Sequence, residues 1–254
     1  MEAARDRLRS LRDRRTKRVE AGPAMGLRIG FAEASADYAR GTNELPVQIA
    51  LVDALGPGDV FVDVGANVGF FSLLAARLVG PAGAVYAIEP VPANVRRVEA
   101  NARRNRFDNV TTIAAAATER TGTTTLVLAV HPGGAAVASA GSPPDPAGTL
   151  DVRTVSIDDL VATGQIRPPD VIKIDVEGAE LDVLVGCATT LRAHRPVVVC
   201  EVDGRDDRSV GAKRAEVAGV LEAEGYVIDV LDPAYDAADW HVAHFVARPH
   251  GGDR

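Results

Sequence analysis

The stretch Val60-Phe61-Val62-Asp63-Val64-Gly65-Ala66-Asn67-Val68-Gly69-Phe70-Phe71 limits the folds open to this chain more than any other. Val60 to Val64 is a short, apolar, β-branched run without helical period, which predicts a buried parallel strand. Gly65 and Gly69 bracket a tight turn, and a helical pattern runs from Val68 to Val79 until Gly80-Pro81-Ala82-Gly83 stops it. Strand, glycine turn and helix in this order set backbone N–H groups and a helix N-terminus at the carboxyl end of a strand. Open α/β sheets bind small ligands there.

The same alternation continues. Apolar residues spaced for a helix run from Pro46 to Leu55, ahead of the first strand. Ala84 to Ile88 reads as the second strand, and Pro90 and Pro92 pre-set the next helix. Val110 to Ala115, Asp170 to Ile174 and Pro196 to Cys200 read as the third to fifth strands. A helix from Ala212 to Glu224 precedes two last strands, Tyr226 to Leu231 and Trp240 to Val246. Thr123 to Val130 and Leu150 to Val155 form an inserted strand pair around a Gly/Pro/Ala/Ser-rich loop, His131 to Gly148. The expected fold is therefore α/β: a seven-stranded, mostly parallel, doubly wound sheet with helices on both faces, an inserted strand pair and an antiparallel closing pair. A length of 254 residues fits one large domain, 21–248, with 131–148 a mobile loop. Residues 1–20 carry eight basic and four acidic side chains and read as a flexible basic arm, and 249–254 as a tail.

A net charge of −7 argues against general nucleic-acid binding. Cys187 and Cys200 are the only cysteines, without C-x-x-C spacing, so neither a disulfide framework nor a zinc site is expected. No apolar run approaches the ~20 residues of a membrane span, and the N-terminus lacks an apolar signal core. A cytoplasmic location is the expectation.

The turn's composition narrows the ligand. A dinucleotide fingerprint needs glycine at the first, third and sixth positions, and here they hold Gly65, Asn67 and Phe70. No Lys-Ser/Thr closes the loop, so a phosphate-cradling Walker loop is excluded as well. Asp63 faces the turn with a carboxylate, which repels phosphate and suits a cationic ligand. The D-x-G-x-N-x-G pattern resembles the first motif of class I S-adenosylmethionine-dependent methyltransferases, whose cofactor carries a sulfonium and an ammonium. A structural glycine turn in another α/β fold is the competing reading. Glu89 ends the second strand about twenty residues beyond the turn, where an acid can accept both ribose hydroxyls. Ala114 to Ala117, with Ala116 among them, is small enough to admit a flat adenine ring; close packing explains it equally. Glu44, ahead of Pro46, either caps the cofactor from above or favours a helix N-terminus.

The first, fourth and fifth strands are expected to be neighbours, which gathers Asp63, Asp175, Glu177, Glu201 and Asp203 at one rim. Such carboxylates raise one another's pKa, and structural pressure alone would disperse them. Four segments, 60–69 (VFVDVGANVG), 85–90 (VYAIEP), 171–180 (VIKIDVEGAE) and 198–202 (VVCEV), resemble the FkbM-type methyltransferase family over roughly Glu44 to Val246. The resemblance implies a Rossmann-like class I fold, S-adenosylmethionine as cofactor, and transfer of a methyl group to a hydroxyl of a natural product or saccharide. It leaves the basic N-terminus and the Pro/Gly loop unexplained.

On this reading the cofactor is bound by Glu44, Asp63, Gly65, Ala66, Asn67, Gly69, Glu89 and Ala116, and Asp175 and Glu177 are the catalytic candidates, as late proton acceptors. Catechol-type methyltransferases are similar at the ends of their fourth and fifth strands, where acids hold Mg²⁺. Asp175, Glu201 and Asp203 are the corresponding candidates here, although no metal motif marks the family and Mg²⁺ is not the favoured expectation. His131, His194, His241 and His244 are weaker base candidates. Two alternatives share the fold, a nicotinamide-dependent oxidoreductase and a non-catalytic cofactor-binding protein. Acceptor and oligomeric state are not legible.

Overall fold

A computed structural model of the chain describes residues 16–30, 36–129, 135–138, 146–235 and 241–251. Thirteen strands lie among them. β1 is Thr16–Arg18, β2 Arg28–Gly30, β3 Val60–Val64, β4 Ala84–Ile88, β5 Val110–Ile113, β6 Ala116–Ala117 and β7 Gly122–Ala129. They are followed by β8 Ala135–Val137, β9 Pro146–Val155, β10 Val171–Ile174, β11 Val197–Asp203, β12 Tyr226–Val230 and β13 Val242–Pro249. Seven of these build one sheet in the order β12-β13-β11-β10-β3-β4-β5. Its β11-β10-β3-β4-β5 run is parallel, and β13 is antiparallel to both β11 and β12. The α/β class, the strand count and the adjacency of the first, fourth and fifth expected strands are borne out.

Strand alternation sorts the core into two layers. Val62, Val64, Ile172, Ile174, Val198, Cys200 and Val202 face one side, under Leu160, Val183, Leu184, Leu191, Val217 and Leu221 of the helices Ile157–Ala162, Glu180–Val185, Ala188–His194 and Asp207–Ala223. Phe61, Val171, Val197, Val199 and Val246 face the other, under Val47, Ala50 and Leu51 of the helix Leu45–Ala54 and Leu73 and Leu74 of the helix Phe70–Val79. Helices thus cover both faces.

Four expectations need correcting. The inserted pair β7–β9 is part of a four-stranded sheet, β6-β9-β7-β8, because Ala116–Ala117 pairs in parallel with Thr154–Val155 and Ala135–Val137 adds to β7. The third strand of the main sheet therefore stops at Ile113. The fifth runs on to Asp203, since β13 pairs with it over Val198–Asp203, so Glu201 and Asp203 lie within the strand. The helix after β3 starts at Phe70, because Gly69 stands at its N-cap with φ +86°. In the expected basic arm, residues 1–15 lie outside the described residues; Thr16–Arg18 pairs with β2, and Val19 is buried. Of the expected loop 131–148, residues 131–134 and 139–145 lie outside the described residues, as do His131 and Trp240.

Candidate active site

The glycine turn is held by its neighbours. Gly65 and Ala66 donate their N–H groups to the Ile88 carbonyl at 3.0 and 3.1 Å. Gly65 has φ +81°, and a Cβ there would lie 1.7 Å from the Asp175 carbonyl oxygen, so the β3 and β10 ends approach through its missing side chain. Asn67, also left-handed at φ +51°, donates its N–H to Glu89 Oε2 at 2.8 Å. The other Glu89 oxygen accepts from Val91 N at 2.9 Å and Asn94 Nδ2 at 3.3 Å. Turn and acid, read from the sequence as two signals, are in direct contact. Burial pushes the Glu89 carboxyl up to about 7, against these hydrogen bonds. Ala66 packs with Ala87 and Val98, and Ala116 with Leu126, Val137, Val152 and Ala179.

Asp63 points to the face covered by the helix Phe70–Val79. Its Oδ2 accepts from Ser72 Oγ at 2.5 Å, while its Oδ1 is buried without a hydrogen-bond partner. Burial raises the Asp63 pKa, with Lys173 and Ser72 opposing. Lys173 is the site residue that sequence reading missed. The alternation that turns Asp63 inward also turns Lys173, Glu201 and His244 to the same face, and all but Glu201 are almost wholly buried. Lys173 Nζ lies 2.8 Å from Asp175 Oδ2 and 4.7 Å from the Phe71 ring centroid. Burial disfavours its charge, but Asp175, Glu44, Asp63 and Glu201 outweigh burial and hold its pKa above the ordinary value. The available signal was a lone lysine inside an otherwise apolar parallel strand, Val171-Ile172-Lys173-Ile174, since lysine is almost never buried unpaired.

Beyond Lys173 lies a second group. His244 on β13 is the cross-strand partner of Glu201 on β11, with Nε2 at 2.5 Å from Glu201 Oε2. Glu44, at the N-cap of the helix Leu45–Ala54, brings Oε2 to 3.4 Å from the same nitrogen, an ion-pair distance without hydrogen-bond geometry. Its Oε1 accepts from Asn43 Nδ2 at 3.2 Å and Tyr235 OH at 3.3 Å. Burial lowers the His244 pKa, but the two carboxylates prevail and push it up to about 9. Glu44 stays below the usual carboxylate range because His244 and Lys173 outweigh its burial.

The other candidates are dispersed. Glu177 sits in an exposed turn at φ +52°; burial and the charges of Asp175, Asp203 and Glu201 raise its pKa, and solvent screens part of that effect. The acids expected to share Mg²⁺ do not converge: Asp175 pairs with Lys173, Glu201 with His244, and Asp203 with Lys213 at 2.7 Å. His241 pairs with Asp207 at 2.7 Å, and His194 ends the helix Ala188–His194. Among the described residues, five non-glycine residues have positive φ, namely Glu44, Asn67, Arg106, Glu177 and Arg195. Arg106 and Arg195 are helix C-caps, where this conformation is routine, and the other three belong to the site.

Comparison with known proteins gives this geometry a context. Residues 63–228 match the model of the methyltransferase FkbM domain. The 31-O-demethyl-FK506 methyltransferase FkbM of Streptomyces tacrolimicus is 30% identical over 214 residues, which is 74% of this chain and 80% of that protein. The hexuronic acid methyltransferase AglP of Haloferax volcanii is 29% identical over 63% of each chain. The crystal structure of the methyltransferase FkbM from Methylobacillus flagellatus KT has a TM-score of 0.51 at 18% identity, over 78% of this chain and 50% of that one, a likeness of fold. No helix among the described residues is long and apolar enough to cross a membrane.

Proposed function

Because this chain belongs to the FkbM methyltransferase family, a family dependent on S-adenosylmethionine, we propose that it methylates a hydroxyl group on a small molecule, a natural product or a saccharide. Membership of the family removes the oxidoreductase alternative. The observation that carries the reading is the contact between the glycine turn and Glu89, with the unpartnered Asp63 oxygen beside it. Both acids suit this cofactor: Glu89 can accept from ribose hydroxyls, and Asp63 can accept from an ammonium or face a sulfonium. We assign Gly65, Ala66, Asn67 and Gly69 of the turn to the same cofactor, with Ala116 and Glu44 as further contacts. The relatives named for FK506 and hexuronic acid point to the acceptor class, and the net charge of −7 favours a small molecule over nucleic acid.

Held by the glycine turn, Asp63 and Glu89, the cofactor would supply an activated methyl group to the acceptor oxygen, and the electron pair of the broken C–S bond would stay on sulfur. The chain's own residues then orient the acceptor, a contribution on the order of 7–11 kcal/mol. They also receive the hydroxyl proton. An aliphatic hydroxyl is about as weakly acidic as water, pKa roughly 15.7, so a carboxylate takes the proton late. We assign this role to Asp175 and Glu177, on the loop that follows β10. Asp175 pairs with Lys173 at 2.8 Å, and Glu177 stands two residues further on, in a left-handed backbone conformation.

Calorimetric titration with S-adenosylhomocysteine tests the cofactor, and transfer of a labelled methyl group to hydroxyl-bearing saccharides and macrolides tests the acceptor. Glu177→Ala should keep cofactor affinity and lose about 10²-fold or more in turnover. Unchanged turnover removes Glu177 from the mechanism, and cofactor binding without transfer to any hydroxyl favours a non-catalytic role.

A further inference from the structure

We propose that Glu44, Glu201 and His244 bind a divalent first-row ion of the Mn²⁺ or Zn²⁺ kind, placed to hold the acceptor hydroxyl; the last clause rests on the methyltransferase reading above. The three side chains come from distant parts of the sequence, yet their ligand atoms all lie within 4.8 Å of one another. Glu44 Oε2 is the oxygen turned into this group, and it is buried without a hydrogen-bond partner, in a residue 7% exposed. The outer oxygen is held by Asn43 and Tyr235. A carboxylate oriented through one oxygen that presents the other bare is how outer partners set up a metal ligand.

The spacing agrees. Ligand atoms at 2.0–2.1 Å from a tetrahedral ion stand about 3.4 Å apart, and His244 Nε2 and Glu44 Oε2 are 3.4 Å apart. Glu201 Oε2, 2.5 Å from the same nitrogen, would withdraw by slightly less than an ångström as the ion replaces the shared proton. Charge points the same way. Four carboxylates, Glu44, Asp63, Asp175 and Glu201, act on Lys173, which pairs directly with Asp175. A sulfonium cofactor would bring its positive charge to the Asp63 end and leave the Glu44–Glu201 end negative. One imidazole with two carboxylates suits Mn²⁺ or Zn²⁺ better than Mg²⁺, which prefers oxygen and its own waters. Three protein ligands leave a position open, where an ion lowers the pKa of a hydroxyl oxygen and eases proton loss to Asp175 or Glu177.

The test uses the full chain after chelator treatment, titrated calorimetrically with MnCl2, ZnCl2 and MgCl2. Each sample is also titrated with S-adenosylhomocysteine. One equivalent of Mn²⁺ or Zn²⁺ should bind with micromolar affinity and Mg²⁺ more weakly. Glu44→Gln and Glu201→Gln should each weaken Mn²⁺ binding by about 10- to 100-fold, and Asp203→Asn should not. Pulsed electron paramagnetic resonance of the Mn²⁺-loaded wild type should show coupling to a histidine nitrogen, a readout that needs no variant to fold. Absence of stoichiometric binding, absence of nitrogen coupling, or loss of binding in Asp203→Asn with retention in Glu44→Gln overturns the site. Failure to bind metal while S-adenosylhomocysteine binds sinks this inference alone, whereas failure to bind S-adenosylhomocysteine strikes the methyltransferase reading.

Discussion

Lys173 on β10 and Asp63 on β3 are direct partners across a parallel strand pair, and both are buried on the same face, at 2% and 1% exposure. Lys173 is the positive charge around which Glu44, Asp63, Asp175 and Glu201 are tolerated. Removing one partner of a buried ion group costs about 3–5 kcal/mol, because the others stay buried without compensation. Lys173→Met should therefore lower unfolding stability at pH 8 by that amount in urea titrations. The deficit should shrink at pH 5.5, where carboxylates that have lost their counter-charge take up protons. An equal deficit at both values would show that lost packing, rather than charge, is responsible.

Asp63→Asn keeps the shape and removes the charge. Hydrogen bonds to charged groups contribute about 1.5–3 kcal/mol, so affinity for S-adenosylhomocysteine should fall by roughly 10- to 100-fold. The substitution should not reduce the urea midpoint, since Ser72 can still donate to the amide oxygen and, unlike loss of the single lysine, loss of one carboxylate leaves Glu44, Asp175 and Glu201 to offset Lys173.

Glu89 titrates near neutrality, with a folded pKa raised from 4.5 to about 7. A raised carboxyl pKa means that the folded state holds its proton longer than the unfolded chain does. Its contribution to stability is thus full below pH 4.5 and is lost as pH rises through about 7. Ligand binding through ribose hydroxyls needs the ionised form. Affinity for S-adenosylhomocysteine should rise with pH between 5 and 7, by at most about tenfold per unit, and then level off. In Glu89→Gln the affinity should be lower and flat over this range. A flat profile in the wild type would show that Glu89 is already ionised.

Two glycines should respond oppositely to alanine. At Gly65 a Cβ would overlap the Asp175 carbonyl, and the backbone stands at φ +81°. Gly65→Ala should cost more than about 3 kcal/mol, by the steric rule that excludes side chains from strained, crowded turns. Gly211, within the helix Asp207–Ala223, has open space at its Cβ position. Gly211→Ala should stabilise by about 0.5–1 kcal/mol, through helix propensity and a less flexible unfolded chain. Thermal unfolding of the pair checks both signs.

The sequence by itself determined what is encoded locally. The β-branched run before Gly65 predicts a strand, the spacing from Gly69 to Glu89 marks an acid for ribose hydroxyls, and the acid before the turn favours a cationic ligand over a phosphate. Each signal spans a few dozen residues, and each is set by backbone geometry that side-chain type controls directly. The VIKIDVEGAE run was legible in the same way. What only the tertiary structure decided is the company these residues keep. The four-stranded second sheet depends on Ala116–Ala117 leaving the main sheet to pair with β9, over a separation of 38 residues between Ala116 and Thr154. Glu44, Lys173, Glu201 and His244 are brought together by the parity of four strand and helix positions. Which face a strand residue takes depends on register, and register is settled by burial of the whole sheet. His244 looked like one of several histidines until β13 paired antiparallel to β11 and set it opposite Glu201. Lys173 drew no reading from the sequence, and its burial follows from the face it shares with Asp63 under the helix Phe70–Val79.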